Sequence, residues 1–244
     1  MNHLGQTRSS RRPDHFLLTP DTFVRAPLPG MRAATAIVHA APPMGAAFTQ
    51  YTAEFEAGGV LGPASSQRFL YVLDGEIQVD FARKKHRLGS NGYTYLPAGA
   101  VHRILAIRPS RAAVIEKPYQ PLDGAPAPGF VVGDESAVPG VPLMGDEALQ
   151  VRALLPAGAA FDLAVNTMTF QPGASLPMVE SHFMEHGLLM IEGGGIYRLG
   201  ERWYPVAAGD FIWMAPYCPQ WFGAIGKIPA RYLIYKDWNR CPIR

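Results

Sequence analysis

Three blocks of this chain occur twice, in the same order. "AAFTQYTAEFEAGG" from residue 46 returns loosely as "AAFDLAVNTMTFQPGA" from residue 159, "LYVLDGE" from residue 70 as "LMIEGGG" from residue 189, and "GYTYLPAGAVH" from residue 92 as "DFIWMAPYCPQ" from residue 210. Motifs that repeat in order at a nearly constant displacement belong to two copies of one folding unit. The 244 residues suffice for two units, each large enough to bury a core of its own. The join is expected in "KPYQPLDGAPAPGF", residues 117 to 130, where four prolines and two glycines break the pattern. The expected division is a disordered tail over residues 1–12, a first unit over 13–124 and a second over 125–244.

Within each copy the apolar runs are short. "FLYVLDGEIQVDF", "LLMIEGG", "DFIWMAP" and "RYLIYK" alternate or run continuously between Gly, Pro and Asp, which is the pattern of strands. The 25 glycines and 23 prolines supply the tight turns that many strands require, so an all-β sandwich or barrel follows. The net charge of +2 is spread along the chain, with no basic stripe of the kind that grips nucleic acid. No window holds 18 consecutive apolar residues, so no membrane-spanning helix is expected. "SRRPDHFLL" loosely resembles a twin-arginine export signal, yet its apolar run stops at Pro20 and Asp21, and a cytoplasmic location is expected. Cys218 and Cys241 form no disulfide framework and no CxxC pair, and inert thiols are the expectation.

The chemistry gathers in "VESHFMEHGLLMIEGGG", residues 179 to 195. Glu180, His182 and His186 share parity, so a segment that stays extended, or turns once without slipping register, can bring all three to one side. One carboxylate and two imidazoles on an apolar strand face would each bear a desolvation cost, and a divalent metal would offset it. Gly62, Ala64 and Arg68 stand at the matching places of the first copy, which therefore carries no such shell. His102 remains there alone, as a hydrogen-bonded structural residue, and its counterpart Gln220 becomes the candidate fourth ligand. Toward the end of the chain, Tyr232 and Lys236 share parity and can flank a small ligand, Lys236 meeting a carboxylate or moving a proton.

The spacing of Glu180, His182, His186 and Gly193, followed by Gly209 and Gln220, resembles the paired signature of the cupins, with altered residues at the ligand places. Gly75, Pro97, Gly99 and His102 keep the scaffold positions in the first copy. The resemblance implies a bicupin: two tandem cupin (double-stranded β-helix, or jelly-roll) barrels with one metal site. The order Glu, His, His, Gln, with "LLTPD" near the start and "YLIYKDWNR" near the end, is similar to the ureidoglycine aminohydrolase family of ureide and purine breakdown. That resemblance implies Mn2+ held by Glu180, His182, His186 and Gln220, substrate contacts from Tyr197, Tyr232 and Lys236, a catalytic Lys236, and a homo-oligomer. It further implies exchange of the α-amino group of (S)-ureidoglycine for hydroxyl, with release of ammonia.

Two other classes stay open on the residues. A metal-dependent cupin oxidoreductase acting on a small organic acid would use the same shell, although such oxidases and decarboxylases resemble a three-histidine, one-glutamate pattern that Gln220 breaks. A non-catalytic ligand-binding cupin would resemble the first copy, with its Arg68.

Overall fold

The computed structural model describes residues 6–241. Its strands are paired antiparallel throughout, as the turn-rich composition predicts, and they form two compact units.

The first unit comprises Val24–Val138 and Gly158–Asp162. Its sheet runs, in spatial order among the described residues, Val131–Asp134, Gly92–Leu96, Gln67–Asp74, Ser110–Lys117, Thr49–Leu61, His102–Ala106, Glu76–Phe81 and Lys84–Gly89. Arg32–Ala40 adds to Thr49–Leu61. Tyr51, Leu70, Val72, Ile77, Ile104 and Val114 meet in its core.

The second unit gathers, of the described residues, 6–23, Pro139–Ala157 and 163–241. One sheet carries Phe211–Met214, His186–Glu192, Ala230–Asp237, Leu163–Phe170 and Asp146–Ala153; the other carries Arg202–Ala207, Gly194–Leu199 and Gln220–Ala224. Phe170 and Tyr232 from the first of these sheets meet Phe222 from the second edge to face, with ring centroids 4.9 and 5.7 Å away. Such buried rings each contribute on the order of 2–3 kcal/mol of hydrophobic stabilisation and close the sandwich around an interior.

The boundaries differ from a simple cut at residue 124. Val131–Asp134 lies beyond the proline-rich stretch yet pairs with Gly92–Leu96 of the first unit. His15–Leu18 precedes the first copy yet pairs with Phe211–Met214 of the second unit, where Phe16 stacks on Trp213 at 5.1 Å. The segment before each copy thus completes the other copy's sheet, a pairing that local pattern cannot reveal. Of the tail expected to be disordered, residues 1–5 lie outside the described residues, and Ser10–Arg11 forms a strand against His15–Leu18.

Two glycines at matching places explain part of the repeat. Gly75 and Gly193 have φ of 94° and 65°, and a Cβ at either would collide with Ser110 Oγ or Pro229 O respectively. Gly193→Ala should therefore lower stability by more than about 2 kcal/mol, read as a thermal shift. Gly58→Ala, with φ of 79° and open space around it, should bear only the conformational cost of about 1–2 kcal/mol. Equal losses at the two positions would show that the collision carries no weight.

Candidate metal centre

His186 opens the strand His186–Glu192 and lies opposite Met214 on one side and Lys236 on the other. Glu180 and His182 reach the same place from an irregular segment, since the strand itself begins only at His186. Pro177 precedes them and cannot donate to a ladder. Backbone bonds fix the segment instead. Glu180 N–H donates to Gln220 O at 2.8 Å, Gln220 N–H donates back to Glu180 O at 2.9 Å, and Tyr217 N–H donates to His182 O at 2.7 Å. The isolated bridge between Glu180 and Gln220 brings the first and last of the candidate ligands together.

The imidazole Nε2 atoms of His182 and His186 converge to 3.3 Å, and Gln220 Nε2 lies 2.9 Å from His182 Nε2. Two nitrogens bound side by side to one ion at about 2.1 Å would stand roughly 3.0–3.4 Å apart, so the imidazoles already hold a ligand spacing. Burial, then the charge of Lys236, lowers the His182 pKa; burial, His182 and Lys236 together push His186 well down. Both rings are therefore neutral at physiological pH, the form that binds metals. Burial is also the main cause raising Glu180, partly countered by Lys236. Glu180 lines the same cavity as both imidazoles. Gln220 turns its amide NH2 to His182 and accepts from Tyr197 OH at 3.3 Å through Oε1. Turning that amide by half a revolution aims Oε1 at the imidazoles, and the tyrosine hydroxyl can then accept from the NH2.

Around these groups lies a cavity of about 100 Å3 lined by Glu180, His182, His186, Tyr197, Gln220, Tyr232 and Lys236, with Met168, Leu176 and Ile234 as apolar wall. All seven residues singled out in the sequence thus face one space. Two larger hollows, of about 440 and 550 Å3, lie on the first unit and are open surface grooves without converging ligand groups. Tyr197 and Tyr232 are fully buried, which raises both pKa values and keeps both hydroxyls protonated. Tyr232 OH contacts Met168 Sδ at 3.3 Å. Burial lowers the pKa of Lys236, and Glu180 partly restores it. With its amide oriented for bonding, Asn166 accepts from Lys236 Nζ at 3.2 Å, a partner that sequence reading missed. Its place on Leu163–Phe170, beside the strand of Lys236, was the available signal.

The first unit holds a different solution at the same place. Arg68 takes the position of His186, and its strand partner in register is Glu116. Because His186 pairs with Lys236, the counterpart of Lys236 is Glu116, not Lys117, which pairs with Gln67 one residue along. The Arg68 guanidinium reaches Glu116 at 2.7 Å, Gly62 O at 2.6 Å and His102 Nε2 at 2.8 Å. His102 Nδ1 donates to Ala100 O at 2.7 Å, so Nε2 is the bare nitrogen that accepts from Arg68. Gly62, His102 and Glu116 are the counterparts of Glu180, Gln220 and Lys236. A covalently attached cation therefore fills this pocket, and His102 is the structural histidine its isolation suggested.

A family model of the cupin domain matches residues 166–235, the heart of the second unit. A relative in Oryza sativa subsp. japonica, described as a probable (S)-ureidoglycine aminohydrolase, is 40% identical over 242 residues, covering 98% of this chain and 78% of its own. The (S)-ureidoglycine aminohydrolase of Arabidopsis thaliana is 38% identical over 242 residues, covering 98% and 80%. This chain belongs to the (S)-ureidoglycine aminohydrolase family. Membership of that family makes it an enzyme, and its fold is the tandem cupin barrel. The crystal structure of the protein Ylba from E. coli superposes with a TM-score of 0.86 at 29% identity, covering 98% of this chain and 97% of that one. The likeness to these relatives spans the first unit as well as the second, so the family includes the half without the imidazole pair.

Proposed function

We propose that this chain is a manganese-dependent aminohydrolase that converts (S)-ureidoglycine and water to (S)-ureidoglycolate and ammonia. The observation that carries the reading is the pair of neutral imidazoles with Nε2 atoms 3.3 Å apart, beside Gln220 and within one small cavity with Lys236. Glu180, His182, His186 and Gln220 would hold the ion. Two nitrogens with two oxygens are a harder donor set than three histidines, which suits manganese. When bound, the ion supplies Lewis acidity and a fixed point for the amine or the water.

The remaining work falls to the chain. Lys236 Nζ meets the substrate carboxylate, and its lowered pKa lets the same atom hold or release a proton. Tyr197 and Tyr232 stay protonated and orient the ureido end as donors. The apolar wall of Met168, Leu176 and Ile234 limits the water that enters, so one water meets one face of the α-carbon. The C–O bond forms there as the C–N bond breaks, and one proton of the water passes to the departing amino nitrogen, which leaves as ammonia. The same reading places the enzyme in the cytoplasm as a homo-oligomer acting on a small molecule.

Stripping the protein with a chelator should lower ammonia release from freshly prepared ureidoglycine by about 10³-fold or more, with recovery on adding Mn2+. Full turnover by metal-free protein would end the metal reading. Oxygen consumption with a panel of small carboxylates, in place of ammonia release, would favour the oxidoreductase class.

A further inference from the structure

Outside that cavity, the described residues bring one more set of ligand-type groups together. One donor atom each from Asp14, His15 and Cys218 lies within 4.8 Å of the other two. His15 and Cys218 are 3% and 4% exposed, while Asp14 is half-exposed and opens the cluster to solvent. His15 Nε2 is engaged by Tyr204 OH at 2.9 Å, which leaves Nδ1 for the cluster. That Nδ1 is 2.9 Å from Asp14 Oδ1 yet makes no aligned hydrogen bond, and so remains a buried nitrogen aimed at a carboxylate and a thiol. An unsatisfied buried polar atom is costly and calls for a ligand or a function. The thiol lies against the same Asp14 carboxylate and the Gly200 backbone, with a long contact of 3.6 Å to Pro219 O, and burial pushes its pKa up to about 12.

We infer that Asp14, His15 and Cys218 form a second cation site, for a borderline-soft divalent ion such as zinc, with the fourth position open to water. Thiolate, imidazole and carboxylate are the usual zinc donors, and bonds of about 2.0–2.3 Å in a tetrahedron separate ligand atoms by roughly 3.4–3.8 Å. The observed spacing needs adjustments of under about 1 Å to reach that shape. On binding, the ion replaces the thiol proton, which passes to solvent.

The site has a defined mechanical position. Asp14 and His15 lead the strand His15–Leu18, and Asp14 O already accepts from Ala215 N–H at 2.9 Å. Cys218 sits in the turn that follows Phe211–Met214 and leads into Gln220. Tyr217 in that turn has φ of 64° and donates its N–H to His182 O. A bound ion would fasten the N-terminal arm to the turn that sets Gln220, leaving the imidazole pair itself untouched.

Cobalt(II) is the probe, because ligation by a thiolate gives a near-ultraviolet charge-transfer band that imidazole and carboxylate cannot produce. Titrated into the full-length protein already loaded with Mn2+, cobalt should raise this band to saturation at one ion per chain. The band should vanish in Cys218→Ser and persist in Cys241→Ser. Asp14→Ala, which alters a half-exposed side chain and keeps the fold, should weaken the apparent affinity at least tenfold. Absence of the band in the wild-type protein would overturn the proposal, as would a band unchanged in Cys218→Ser or an affinity unchanged in Asp14→Ala. Exchange of cobalt for manganese at the imidazole pair leaves the readout silent, so the result is independent of the proposed aminohydrolase activity.

Discussion

Lys236→Ala is expected to lower kcat for ammonia release by about 10³-fold while manganese remains near one per chain. The two halves of that result rest on different observations. Lys236 lies opposite His186 in register and lines the cavity, but the groups that converge on a metal position are imidazoles and an amide, so its loss removes no ligand. On the proposed reading its ammonium meets the substrate carboxylate from the cavity wall, and the burial that lowers its pKa favours proton transfer. A positioned acid or base contributes about 10²–10⁴-fold, and a charge-assisted hydrogen bond to the substrate adds to it. Lys236→Arg separates the two roles, since guanidinium binds carboxylate but holds its proton. If only carboxylate binding matters, the arginine variant keeps kcat and shifts KM; if Nζ moves a proton, kcat falls in both variants. Wild-type turnover in the alanine variant would remove Lys236 from the chemistry.

The repeat made much of this legible. Because side chains alternate on strands, Tyr232 and Lys236 could be placed on one face of Ala230–Asp237, and both do line the cavity. The self-comparison paired Gln220 with His102, and each faces the centre of its own unit. Other features depended on partners far along the chain. The arm His15–Leu18 reads as a short apolar run with nothing to say which edge it joins, and its pairing with Phe211–Met214 is a long-range choice. Parity puts Glu180 and His182 on the side of His186, but their backbone is set by bonds to Gln220 and Tyr217, which no periodicity encodes. Chemical likeness would match Lys117 with Lys236, whereas strand register sets Glu116 there. Nothing in the sequence marks the grouping of Cys218 with Asp14 and His15, which lie some two hundred residues away along the chain.

The correct register turns the first unit into the second strong test. Arg68 is 3% exposed and its guanidinium is shared among Glu116, Gly62 O and His102 Nε2, so it acts as the cation that this pocket would otherwise lack. Tyr51 OH adds a bond of 2.8 Å to the same Glu116 oxygen. Arg68→Ala would leave a largely buried carboxylate and a bare imidazole nitrogen facing a void, a loss of about 3–5 kcal/mol. In a unit of this size that corresponds to a fall in Tm of roughly 10–20 °C, measured by calorimetry. Replacing both partners, Arg68→Met with Glu116→Gln, should recover most of the loss, because neither side chain then carries an unpaired charge. An Arg68→Ala protein melting at the wild-type temperature would show that the guanidinium is a bystander. A double variant no better than the single one would assign the loss to packing of the long side chain rather than to its charge.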